Sequence, residues 1–133
     1  MPGPGNVRWL LKTEPSEYAY DDLERDGETT WGGVANPVAL AHLRAMAAGD
    51  LAVVYHTGNQ KRAVGVAQVI AAQGHDPPRL APKQRLAQPV TLAQIKGHPA
   101  FADSPLVKIG RLSVVPLSAA QWRALLALAK TAL

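Results

Sequence analysis

The sequence predicts an α+β fold: a small, mainly antiparallel β-barrel with short helices flanking it. Three observations carry that reading. Short apolar runs of strand length recur along the chain and are separated by turn signals. Helix-start signals sit at the joints between them rather than in one block. No internal repeat or low-complexity tract points to a solenoid or a tail.

Residues 1–6 read as a disordered leader, because Met1-Pro2-Gly3-Pro4-Gly5 has neither a basic segment nor an apolar core. Residues 7–133 read as one domain, a length sufficient for a real core. Arg8 to Lys12 forms the first strand, apolar at Trp9-Leu10-Leu11 and polar from Lys12 onward. Tyr20 to Arg25 is a short helix with acids near its positive end, stopped by Gly27. Asn36-Pro37 starts the next helix, with Asn as cap and Pro in the first turn. It runs to about Met46, with Ala39, Leu40, Leu43 and Met46 on one face. Leu51 to His56 is a second strand and Arg62 to Ala71 a third, joined by the turn signal Thr57-Gly58-Asn59-Gln60. Gly65 there permits a close backbone approach. Gly74 to Gln88 reads as loop because of its prolines. Thr91 and Ser118 each open a capping box and a helix, and Arg111 to Pro116 is the last strand. Trp9, Leu10, Leu11 and Trp122 are expected in the core.

The chain has 133 residues, no Cys and a net charge of +4. Disulfides and thiolate metal sites are therefore excluded, and a cytoplasmic location is the expectation. The histidines at 42, 56, 75 and 98 show no metal-ligand spacing, so no metal and no cofactor are expected. No apolar run reaches membrane-span length. Charge is uneven: residues 1–50 carry eight acids and four bases, residues 51–133 two acids and ten bases. Such asymmetry suggests an anionic partner, nucleic acid first, or else a solvated basic surface. Lys61, Arg62, Lys83 and Arg85 are the candidates for backbone phosphates. A monomer is the expected state. No nucleophile elbow and no phosphate-binding glycine loop of the P-loop type is present.

The segment Trp9 to Asn36 is the richest in chemistry. A strand ending in Lys12-Thr13-Glu14 and a Trp31 flanked by Gly32-Gly33 can frame a pocket with a polar floor and an aromatic wall. Such pockets hold flat heterocycles, including flipped or unpaired bases. Trp31 either stacks on a base or caps the core. Tyr18 and Tyr20 either wall the pocket or pack on the barrel, Tyr20 as a staple for its helix. Asn36 either reads a base edge or serves as the helix cap. Glu14 either accepts from an exocyclic amine or pairs with Lys12 or Arg111. Arg111 and Ser113 lie on the late strand, where Arg111 can meet a phosphate or a base.

The blocks WLLKTEPSEYAYDDLERDG, TWGGVAN, LRAMAAGDLAVVYHTG, PVTLAQIKGHPAF and LVKIGRLSVVPLSAAQW, in this order, resemble the EVE domain. That family is a branch of the PUA-like superfamily and is similar in fold to the YTH domains. The resemblance implies a PUA-like barrel and a non-catalytic pocket that accommodates a modified base of DNA or RNA, such as methylated or oxidised cytosine or N6-methyladenine. It places the first-strand end, Lys12 and Thr13, at that pocket together with Trp31, and Tyr55, His56 and Thr57 on the pocket's other side. Tyr20, Val34, Asn36, Arg111 and Ser113 are further candidates for contacts with the base. Two departures from the family pattern stand out. Ala35, Leu40 and Ala41 occupy positions where the family carries Arg or Asn, and the pattern predicts that a strand of about ten residues is absent after the third strand, with a remnant around Lys83 to Leu86. Two other readings of function stand beside this one: a pocket for a small molecule or nucleoside, and an ASCH-like hydrolase of modified nucleosides using Lys12, Thr13 and Glu14.

Overall fold

The computed structural model describes residues 7–72, 77–108 and 110–133. The proposed leader and His75 lie outside the described residues. Six strands form one mixed sheet in the order β2-β5-β4-β3-β1-β6, curled into a half-barrel with β2 and β6 at its edges. The strands are β1 (Arg8–Thr13), β2 (Thr29–Thr30), β3 (Leu51–His56), β4 (Arg62–Ala71), β5 (Arg79–Thr91) and β6 (Val114–Leu117). Only β1 and β3 run parallel; every other pair is antiparallel. Five short α-helices flank the sheet: α1 (Tyr20–Asp26), α2 (Pro37–Ala45), α3 (Leu92–Lys96), α4 (Pro105–Lys108) and α5 (Ala119–Leu128).

Helix boundaries follow their caps. Asn36 Oδ1 accepts from the backbone N–H groups of Val38 and Ala39, satisfying two donors that the first turn leaves open. Thr91 and Ser118 each accept from the N–H three residues on, and Gln94 and Gln121 return the bond. Gly27 ends α1 in the left-handed region, φ 79°, with its N–H bonded to Leu23 O. Both faces of the central strands are covered, since every residue of β3 is buried, and the core takes in Trp9, Leu10, Leu11 and Trp122 as expected.

Two expectations need correction. The segment read as proline-rich loop holds the longest strand, β5, so no strand is missing after β4. Prolines are tolerated there because β2 pairs β5 only at Arg79 and Leu80, leaving the rest of that side without a ladder partner. The β4–β5 register slips between Ala63 and Gly65, where the six residues from Arg85 to Val90 face the three from Ala63 to Gly65. The bulged residues bond elsewhere: Ala87 N–H to Thr131 Oγ1 and Gln88 N–H to Ala129 O. The last strand begins at Val114, not Arg111, so Arg111 is exposed on the turn before it and Ser113 precedes it.

One buried node joins α1 to the sheet. Tyr20 is fully buried and its hydroxyl donates to Val66 O at 2.7 Å. Its ring end rests against Gly65, where an added Cβ would fall 2.4 Å from Cζ. The backbone N–H of Tyr20 donates to His56 Nε2 at 3.0 Å. A backbone N–H can only donate, so Nε2 is the acceptor and Nδ1 carries the hydrogen toward Gln60 Oε1, 2.8 Å away. Tyr20 is thus a core residue and not a staple on the helix surface.

Candidate nucleic-acid interface

The end of β1 presents neighbouring residues to opposite sides of the sheet, as strand geometry requires. Thr13 lines one cleft and Lys12 another.

The first cleft, about 230 Å³, is bounded by Thr13, Glu17, Tyr18, Thr29, Thr30 and Trp31. The rings of Tyr18 and Trp31 meet edge to face, with centroids 6.5 Å apart and planes at 84°. Both are held from behind. Thr13 Oγ1 donates to Tyr18 O at 2.8 Å, and the Tyr18 hydroxyl donates to Asp26 Oδ2 at 2.9 Å. Burial pushes the Tyr18 hydroxyl above its usual range, so it stays a neutral donor at ordinary pH. The Trp31 N–H donates to Pro78 O at 2.8 Å, continuing the β2–β5 pairing past Thr30. Arg79 clamps the same wall through Glu28 and Thr30. Trp31 is only 8% exposed, so it is a fixed wall rather than a free platform. The cleft therefore combines a rigid aromatic corner with threonine hydroxyls and one exposed carboxylate, Glu17.

The second cleft, about 220 Å³, has Lys12, Lys61 and Lys96 around an apolar floor of Tyr55, Leu92 and Leu106; Thr57 also lines it. Lys12 Nζ donates to Gly110 O at 2.8 Å, and its partial burial lowers its pKa. Burial also raises the Tyr55 hydroxyl.

The structure thus divides the candidate residues. Thr13 and Trp31 share the aromatic cleft; Lys12, Tyr55, Thr57 and Lys61 share the basic one. Tyr20 and His56 lie behind the surface, bonded to each other. Val34 packs half-buried against the core, and Asn36 Oδ1 is taken by its cap bonds. Arg111 and Ser113 border neither cleft. Glu14 accepts from the Ser16 N–H and hydroxyl and from the Thr57 hydroxyl. It pairs with neither Lys12 nor Arg111, because the turn after β1 folds it back on its own loop.

Arg85 is exposed but paired within the molecule. Its guanidinium pairs with Asp21 and Glu24 of α1 and lies 5.2 Å from the Tyr20 ring centroid. Those hydrogen bonds raise its pKa and lower that of Asp21. Its charge is largely answered inside the molecule, unlike that of Lys83 or Arg62, which are exposed and form no ion pair among the described residues. The sequence singles out Tyr18 and Trp31, but nothing in it marks Glu17, Thr29 or Thr30 as lining the same cleft. Their only signal is position, immediately beside Tyr18 and Trp31. Among the described residues no helix is long and apolar enough to cross a membrane, and no group of three His, Asp or Glu side chains is placed to hold a metal.

The EVE domain family matches residues 7–128. A Rhodopseudomonas palustris protein solved by NMR is 35% identical, covers 93% of each chain and superposes with a TM-score of 0.85. A crystal structure from Agrobacterium tumefaciens is 27% identical over 92% of each chain, with a TM-score of 0.87. Human THYN1, crystallised in complex with DNA containing 5-methylcytosine, is 22% identical, with a TM-score of 0.85 over 96% of this chain and 100% of that one. No curated protein matches by sequence. With its family signature running through nearly all the described strands and helices, the chain belongs to the EVE domain family.

Proposed function

We propose that this protein is a non-catalytic nucleic-acid reader that takes a modified base into the cleft between Tyr18 and Trp31. The observation that carries the reading is that edge-to-face aromatic corner, pre-set by backbone and side-chain bonds and floored by hydroxyls. A wall already ordered costs little entropy on binding. Stacking on an aromatic side chain contributes roughly 1–3 kcal/mol per base. The hydroxyls and Glu17 offer partners to a base edge, and a wrong base would leave them unpaired. An apolar niche for a methyl group adds about a kcal/mol, so selectivity rests on stacking and hydrogen bonding together. The human relative crystallised with 5-methylcytosine DNA shares the fold and supports this reading.

Fluorescence anisotropy tests it. Matched oligonucleotides bearing unmodified, 5-methylated or hydroxymethylated cytosine, or N6-methyladenine, are compared in single- and double-stranded form at two salt concentrations. The expected result is salt-sensitive binding with a preference for one modification. Trp31→Ala should reduce the modified-to-unmodified affinity ratio more than it reduces binding to unmodified strands. An unchanged ratio in Trp31→Ala refutes the assignment of the cleft.

A further inference from the structure

We propose that the second cleft, bounded by Lys12, Lys61 and Lys96, is a phosphoryl-group site distinct from the Tyr18–Trp31 cleft. Four observations converge on it. Its lining holds three lysines and no acid. None of the three forms an ion pair among the described residues, whereas Arg79 and Arg85 are both neutralised by acids of the first part of the chain.

Lys61, secondly, is held in the left-handed backbone region, φ 48°, which side-chain-bearing residues rarely adopt. The turn is pinned there because the Lys61 carbonyl accepts the N–H of Leu92 at 2.9 Å, tying the β3–β4 hairpin to the start of α3. That bond sets Lys61 beside α3, whose last residue is Lys96. A strained conformation kept in place by its surroundings points to a use for the side chain it presents.

The third observation is the shape of the site. The lysines line a half-open cleft together with Tyr55, Leu92 and Leu106, of which Tyr55 and Leu106 are buried. Low-dielectric walls strengthen the field of the charges above them. Lys12 is partly buried in this wall, with one of its three donors on Gly110 O and no other partner among the described residues. Finally, the site and the proposed base cleft are separate but meet at consecutive residues of β1, Lys12 and Thr13, which face opposite sides of the sheet. A nucleic-acid backbone passing round the end of β1 is one source of that phosphoryl group. The phosphoryl group can equally belong to a free nucleotide. That nucleic-acid source rests on the function proposed above; the site itself does not.

The test uses the full chain, ¹⁵N-labelled, and four probes: inorganic phosphate, a nucleoside monophosphate, the parent nucleoside and an unmodified oligonucleotide. Two substitutions remove the charge with little strain. Lys61→Gly suits the left-handed backbone, and Lys96→Gln is exposed at a helix end. In the wild type, phosphate-bearing probes should shift the amides of Lys61, Leu92 and Lys96, and the nucleoside should not. The double variant should lose those shifts, bind the oligonucleotide about tenfold more weakly at low salt and show a slope of log affinity against log salt reduced by about two. Its modified-to-unmodified ratio should match that of the wild type. Shifts with the monophosphate but no oligonucleotide binding would support the site and sink the reader function. Oligonucleotide binding that the double variant leaves unchanged, or no shift at Lys61 and Lys96 with any phosphate-bearing probe, would overturn the site while leaving the base cleft standing.

Discussion

Gly65→Ala is expected to be among the most damaging single-methyl additions this fold can receive. The new Cβ would lie 2.4 Å from Tyr20 Cζ and 2.5 and 2.6 Å from the two Cε atoms. Carbon atoms in contact sit about 3.5–4.0 Å apart, so the ring or the strand must move by about 1 Å. The ring has little room. Tyr20 is 1% exposed, its hydroxyl is bonded to Val66 O and its backbone to His56. Overpacking of this kind costs about 1–3 kcal/mol. Displacing the phenol also leaves the Val66 carbonyl short of a partner, a further loss of about 1–3 kcal/mol. A total near 3 kcal/mol corresponds, for a chain of this size, to a fall in Tm of roughly 10 °C. Urea unfolding followed by tryptophan fluorescence gives the free energy directly. Gly97→Ala is the control, since a Cβ there meets nothing closer than 3.4 Å and φ is −81°. In a Tyr20→Leu background the added methyl should cost much less, and the coupling measures the clash itself. A loss below about 1 kcal/mol in Gly65→Ala, or equal costs in both backgrounds, would refute the packing argument.

Alkaline pH reaches the same node. Burial, the largest cause, pushes the Tyr20 hydroxyl up to about 12, against about 10 in an unfolded chain. The fold therefore holds this proton more tightly, so the contribution is fully present below about pH 10 and is lost as pH rises toward 12. Tyr20→Phe should flatten that decline in denaturation curves taken between about pH 10 and 12, the window set by these values; an unchanged slope would assign the alkaline loss to other groups. Asp50 is a second buried anchor, fully enclosed and accepting from the N–H groups of Val7 and Ala47 and from the Trp9 indole. Asp50→Ala strands three donors and should cost roughly 3 kcal/mol or more in urea unfolding, and a loss under about 1 kcal/mol would show that the site relaxes or admits water.

What the sequence made legible was local. Asn36-Pro37, the Thr91 and Ser118 capping boxes and Gly27 each announce a helix end through atoms within four residues, and all four stand where expected. Apolar runs located β1, β3 and β4 for the same reason. β5 was hidden because Pro82 and Pro89 are local signals against a strand, and what permits them is non-local: over most of its length β5 has a partner on one side only. Asp50 and Gly65 were similarly opaque as structural anchors, since Asp50 meets Trp9 from 41 residues away and Gly65 meets Tyr20 from 45. The node at Tyr20 shows the limit well. A tyrosine two residues after another tyrosine looks like part of one aromatic wall, yet the turn into α1 sends Tyr18 to the cleft and Tyr20 to the core.

Charge carries the same lesson in a form that bears on function. Along the chain, an acidic first part and a basic second part suggest a broad basic surface for an anionic partner. In the fold, α1 packs against β5, and Asp21, Glu24 and Glu28 are paired with Arg85 and Arg79. Exposed ion pairs of this sort contribute little to stability, but they remove two of the basic residues from the count available to phosphate. The asymmetry in sequence is thus partly a record of which segments pair with each other. What it leaves for a partner is narrower and more specific: Lys12, Lys61 and Lys96 are gathered by the end of β1, the β3–β4 hairpin and α3, next to the strand residue that lines the aromatic cleft. Electrostatic attraction and base selection would then be supplied by two adjacent clefts built on one strand, and they should be separable by mutation: lysine substitutions acting on the salt slope, Trp31 on the ratio between bases.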